Sequence, residues 1–103
     1  MTARPPVLMV AGIGEGFGLA LADVFAAAGH DVIGVARSAA VSGRAAALVA
    51  AHGARYRHLC CDLADPEQVA ALAGPVAGEV TTLVHCAHHL LIRPFAGTSA
   101  ADF

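Results

Sequence analysis

Residues Val7 to Arg37 read V-L-M-V-A-G-I-G-E-G-F-G-L-A-L-A-D-V-F-A-A-A-G-H-D-V-I-G-V-A-R. An apolar run, Val7 to Ala11, meets four glycines at Gly12, Gly14, Gly16 and Gly18. An amphipathic stretch continues to Ala28, Gly29 interrupts it, and a second apolar run extends from Val32 to Ala36. Short continuous apolar runs mark strands buried on both faces. The order is therefore strand, glycine turn, helix, strand.

Each part has a physical role. Glycines let the backbone turn tightly and approach a ligand with no Cβ in the way. The first N–H groups of a helix lack intrahelical partners, and the helix dipole makes that end attractive to anions. Phe17, Leu21, Val24, Phe25 and Ala28 recur at three- and four-residue spacing, which predicts the face laid on the sheet. Gly29 stands where a left-handed C-cap is wanted. This arrangement seats a dinucleotide pyrophosphate on a helix N-terminus, with Gly12, Gly14, Gly16, Phe17 and Gly18 as the candidate contacts. The alternative is a glycine-rich turn that binds nothing.

Composition narrows the partners. The 103 residues allow one small domain. A 57 % apolar content with 14 % charged residues describes a core-forming chain, rich in alanine. A formal net charge of −2 offers no basic surface for nucleic acid. Every basic residue is arginine; lysine is absent. No apolar run approaches the ~18 residues of a membrane span, and Met1 to Pro6 lacks the apolar core of a signal peptide. Three cysteines, two of them adjacent, do not form a disulfide framework. A reducing cytoplasm is expected.

Beyond Arg37, Ser38 to His52 reads as an alanine-rich helix interrupted by Gly43 and ended by Gly53. Tyr56 to Cys60 reads as a strand. Asp65-Pro66-Glu67 is a helix start, with Asp as N-cap, Pro at the first helical position and an acid in the first turn. That helix is expected to run to about Ala73 and break at Gly74-Pro75. Thr82 to Cys86 is a fourth strand, and Ser99 would cap a further helix. Strands alternating with helices imply a parallel sheet. Right-handed crossovers and the glycine turn favour strand order 3-2-1-4, a doubly wound α/β fold of Rossmann type. The fourth strand would be an open apolar edge. The expectation is one truncated domain over residues 1–103, the N-terminal half of a larger sheet.

The residues resemble the short-chain dehydrogenase/reductase family. Gly12, Gly16 and Gly18 match its G-x-x-x-G-x-G turn. Asp62-Leu63, after the third strand, match its acidic residue that contacts the adenine ring. Leu83 to His88 stand where the family carries N-N-A-G; only Ala87 matches, and His85, Cys86 and His88 replace Asn, Asn and Gly. Pro94-Phe95, Ser99 and Asp102-Phe103 resemble the run into the next helix. The resemblance implies an oxidoreductase moving hydride between a nicotinamide and a carbonyl or alcohol, with cofactor contacts that include Asp62, Leu63, His85 and Ala87. The family's catalytic Ser and Tyr-x-x-x-Lys have no counterpart here, so no catalytic residue is assigned and the chain alone is expected to be inactive. The competing reading is a non-catalytic nucleotide-binding or regulatory module. A homo-oligomer stays open for a completed domain, and the substrate is not indicated.

The cofactor can be read further. NAD-binding folds place an acid at the end of the second strand for the ribose 2′-OH. That position is Ala36, followed by Arg37 and Ser38, and Asp31 stands at the wrong end of the strand. Arg37 can contact a 2′-phosphate in a bidentate, charge-assisted manner, which favours NADP(H) over NAD(H). Glu15 lies inside the phosphate turn, where the family often has a base. His85, Cys86, His88, His89 and the Cys60-Cys61 pair carry zinc-type donors. Order 3-2-1-4 would separate the two groups by three strand spacings, ~14 Å, so no metal site is expected. A Cys86 nucleophile with a histidine base would lack a third, orienting group.

Overall fold

The computed structural model describes residues 4–86. Seven elements follow in order: β1 (Val7–Ala11), α1 (Phe17–Ala27), β2 (Asp31–Ala36), α2 (Ser42–Ala50), β3 (Tyr56–Cys60), α3 (Pro66–Val76) and β4 (Thr82–His85). The four strands form one parallel sheet in the order β3-β2-β1-β4. The expected fold class and strand order are both observed. Ala87, His88, His89, Pro94, Phe95, Ser99, Asp102 and Phe103 lie outside the described residues.

Alternation along the strands divides the core in two. Leu8, Val10 and Val32 face α1 and α2, where they meet Leu19, Ala22, Ala26, Ala45 and Val49. Met9, Ile33 and Val35 face the other side, with Cys61 and Val76, and Leu63, Val69 and Leu72 pack on them. Helices on both faces make the sheet doubly wound.

The packing face of α1 differs from the expected one. Gly18, Leu19, Ala22 and Ala26 are buried, whereas Phe17 and Val24 are 69 % and 64 % exposed. Small residues let the helix axis come close to the sheet. A Cβ on Gly18 would stand 3.0 Å from the Ile13 Cα, so the first turn of α1 sits against the backbone leaving β1. Gly29, with φ of 97°, ends the helix as expected.

Helices α2 and α3 also depart from expectation at their ends. α2 begins at Ser42, with Gly43 inside its first turn, and Gly53 follows its end with φ of 76°. α3 continues through Gly74 and Pro75 to Val76. Proline near a helix end removes a single backbone donor. Carrying the helix onward seats Val76, 5 % exposed, in the second core cluster. Its start is as read: Asp65 accepts the Glu67 N–H at 3.0 Å and Pro66 opens the helix. Among the described residues, no helix is long and apolar enough to cross a membrane.

Candidate nucleotide-binding site

The glycine turn leaves β1 at its C-terminal end. Gly12, at φ of 90°, begins it in a conformation that favours glycine. Two bonds tether the turn to the sheet: Gly12 N–H and Ile13 N–H both donate to the Val35 carbonyl, at 2.7 and 2.9 Å. Ile13 is buried and wedges between Gly18 of α1 and Gly34 of β2.

Beyond that anchor the backbone donors change character. Among the described residues, the N–H groups of Gly14, Glu15, Gly16, Phe17 and Gly18 donate to no protein acceptor. The first bonds of the helical stretch come later, from Leu19 to the Gly14 carbonyl and from Ala20 to the Gly16 carbonyl. A Cβ on Gly14 or Gly16 would meet nothing within 4 Å. Consecutive open N–H groups at a helix N-terminus, with clear space over the glycines, suit an anion such as a pyrophosphate. Phe17 is exposed at this mouth rather than in the core.

The remaining candidates lie along the same C-terminal edge of the sheet. Arg37 follows β2, is exposed, and makes no hydrogen bond or ion pair among the described residues. Asp31, at the opposite end of β2, is occupied structurally, its carboxylate accepting the Arg55 N–H at 2.9 Å. Asp62 accepts the Ala64 N–H at 3.0 Å, and its own N–H donates to the Gln68 side chain at 2.8 Å. These bonds fix the loop after β3. Leu63 packs against the second core cluster, so its side chain serves the fold. His85 ends β4 beside Ala11 of β1, and the Cys86 N–H continues the ladder to the Ala11 carbonyl at 2.7 Å. Cys60 and Cys61 are on the far side of the sheet from His85, with β2 and β1 between.

Three features were not read from the sequence. Glu15 is held at 2.9 Å by Arg44 of α2. Gly34 makes room for the Tyr56 hydroxyl, which a Cβ there would strike. His58 joins Tyr56 to the Ser38 carbonyl. A glycine inside a strand does signal close approach, and Gly34 was that signal. A groove of about 470 Å³ between β3 and α3, lined by Leu59, Gln68, Leu72 and Val76 among others, contains none of the glycine-turn residues. The consecutive open N–H groups of residues 14–18 make the glycine turn the better anion site.

A doubly wound parallel sheet with an anion-suited glycine turn after its first strand is the Rossmann-type α/β arrangement. The family model described as short chain dehydrogenase matches residues 6–103, and the chain belongs to that family, as its N-terminal portion. An uncharacterised oxidoreductase from Mycobacterium tuberculosis is 39 % identical over 72 residues, which is 70 % of this chain and 27 % of that protein. Acetoin dehydrogenase from Enterobacter cloacae superposes with a TM-score of 0.80 at 25 % identity, over 98 % of this chain and 42 % of that one. L-Sorbose reductase from Gluconobacter frateurii, complexed with NADPH and L-sorbose, gives 0.79 at 27 % identity, over 95 % and 39 %. A metagenomic short-chain oxidoreductase in complex with NADP gives 0.78 at 25 %, over 94 % and 46 %. The chain thus spans less than half the length of each of these relatives.

Proposed function

We propose that this chain is the dinucleotide-binding portion of a short-chain-type oxidoreductase, with NADP(H) preferred over NAD(H). The observation that carries the reading is the run of open N–H groups at residues 14–18, on the same sheet edge as the exposed Arg37. The backbone of the glycine turn would hold the pyrophosphate, helped by the positive end of α1. Arg37 would meet the 2′-phosphate, Asp62 the adenine ring, and His85 with Ala87 the nicotinamide side.

When bound, the nicotinamide supplies or accepts hydride at its C4 carbon. The protein's part in these residues is binding and orientation. Tyr56 is the sole tyrosine of the sequence, and its hydroxyl is engaged by His58, so no acid–base role is assigned to it. Substrate recognition is likewise not assigned to any residue of this chain.

Titration of the purified protein with NADPH and NADH, followed by nicotinamide fluorescence, tests the reading. Micromolar NADPH binding that Gly14→Ala weakens supports it. A cooperatively folded protein that binds neither dinucleotide refutes it.

A further inference from the structure

Arg37 is exposed, yet the backbone on either side of it is tied down. The Cys61 N–H donates to the Ala36 carbonyl at 2.8 Å, and the Ser38 carbonyl lies 2.8 Å from His58 Nε2. Both ties come from the β3 side of the sheet, so Arg37 is bracketed. A carbonyl can only accept, so Nε2 of His58 carries the proton of that bond. In the neutral ring, Nδ1 is then an acceptor, and the Tyr56 hydroxyl, 2.6 Å away, donates to it.

Tyr56 is itself located by the sheet. Its ring lies beside Gly34 of β2, where a Cβ would stand 2.9 Å from the Tyr56 Cζ. Burial pushes the Tyr56 phenol up to about 12, so it remains a donor through the neutral range. The two rings are tilted at 41° with centroids 5.9 Å apart. A continuous set of contacts therefore runs from Gly34, through Tyr56 and His58, to the carbonyl beside Arg37. None of these groups is needed for the ladder of β3 with β2, which uses backbone atoms.

We propose that His58 is a positioning residue for cofactor selectivity: it holds the Ser38 carbonyl, and so fixes the backbone from which Arg37 reaches the 2′-phosphate of NADP(H). The proposal rests on the NADP(H) reading above. His58 touches no ligand in it. Its effect is expected mainly on the 2′-phosphate, because the pyrophosphate is met by the turn whose backbone is anchored on the Val35 carbonyl rather than on Ser38.

The test is the pair of dissociation constants for NADPH and NADH in the wild type and in Arg37→Ala, His58→Phe, His58→Gln and Tyr56→Phe. The phenylalanine keeps the ring and removes both nitrogens; the glutamine amide restores an N–H for Ser38. His58→Phe is expected to weaken NADPH by about fivefold or more, the scale of one lost hydrogen-bonded constraint, with NADH within about twofold. His58→Gln should recover part of the selectivity. Adding His58→Phe to Arg37→Ala should change the ratio no further, since the two act as one unit. Tyr56→Phe gives a smaller loss in the same direction and serves if His58→Phe does not fold. An unchanged ratio in His58→Phe and Tyr56→Phe, alongside a collapsed one in Arg37→Ala, overturns the proposal and leaves Arg37 in place. An unchanged ratio in Arg37→Ala overturns the NADP(H) reading itself, and the proposal with it.

Discussion

Glu15, inside the glycine turn, is bound by Arg44 of α2, with Nη1 and Oε1 2.9 Å apart. The pair turns the Glu15 carboxylate toward α2 and offsets its charge. Both side chains are mostly exposed, so the bond itself adds at most about 1 kcal/mol to stability. Its larger effect is on a bound anion. A carboxylate ~8 Å from a phosphate is repelled by roughly 2 kcal/mol at an effective dielectric of ~20. Arg44→Ala should therefore weaken NADPH binding several-fold at low salt, and Glu15→Gln should strengthen it. Both effects should shrink as salt is added, because the groups are exposed. Titrations at low and high ionic strength check this; salt-independent changes would contradict it.

The glycines of the turn separate by function. Gly18→Ala puts a methyl 3.0 Å from the Ile13 Cα, so the contact between α1 and the turn must open by a few tenths of an ångström. That overpacking is expected to cost about 1–3 kcal/mol of stability. Gly14→Ala meets open space and should leave stability within about 0.5 kcal/mol. It should nonetheless lose dinucleotide affinity, because the methyl would stand where the proposed ligand approaches. Denaturant melts and fluorescence titrations of the two variants should give opposite patterns.

Much of this was legible in the sequence, for identifiable reasons. The strand positions, to within one residue at the start of β2 and the end of β4, the order 3-2-1-4 and the Asp65 cap follow from short apolar runs and from a motif whose chemistry is local. The face of α1 was not legible. Nearly every position of that helix is apolar, so periodicity alone does not choose between the stripe of Phe17 and Val24 and the stripe of Gly18, Ala22 and Ala26. Close packing chose the small residues. The end of α3 was misplaced because Gly74-Pro75 looks like a stop locally, while burial of Val76 is a tertiary gain. The contacts of Glu15 with Arg44 and of His58 with the Ser38 carbonyl join residues from different segments, and no spacing rule encodes them, whereas Tyr56 and His58 are neighbours on one face of β3.

Tyr56 gives a clean pH readout, because it is the only tyrosine and tryptophan is absent. Burial raises its folded pKa from 10.0 to about 12. The folded state thus holds the phenol proton more tightly than the unfolded chain. The stability linked to this group is fully present below pH 10.0 and is lost as pH rises toward about 12. The phenolate absorbance of the native protein should appear near pH 12, and that of the denatured chain near 10.0. Coincident midpoints would contradict the half-buried, engaged hydroxyl.

Asp65 accepts the Glu67 N–H and also receives the Gln68 amide at 3.1 Å. Asp65→Ala removes the α3 cap and should destabilise by about 1 kcal/mol, with Asp65→Asn retaining most of the stability. For a chain of this size that is a fall of roughly 4–8 °C in Tm. Thermal melts of the two variants check both the size and the rescue.

The most direct test of the account is the ratio of NADPH to NADH affinity in the wild type and in Arg37→Ala. NADPH is expected to be preferred by about tenfold or more, as one charge-assisted contact allows. Arg37→Ala is expected to bring the ratio near one while NADH binding is unchanged. A folded protein that favours NADH, or whose NADPH preference survives Arg37→Ala, would contradict it.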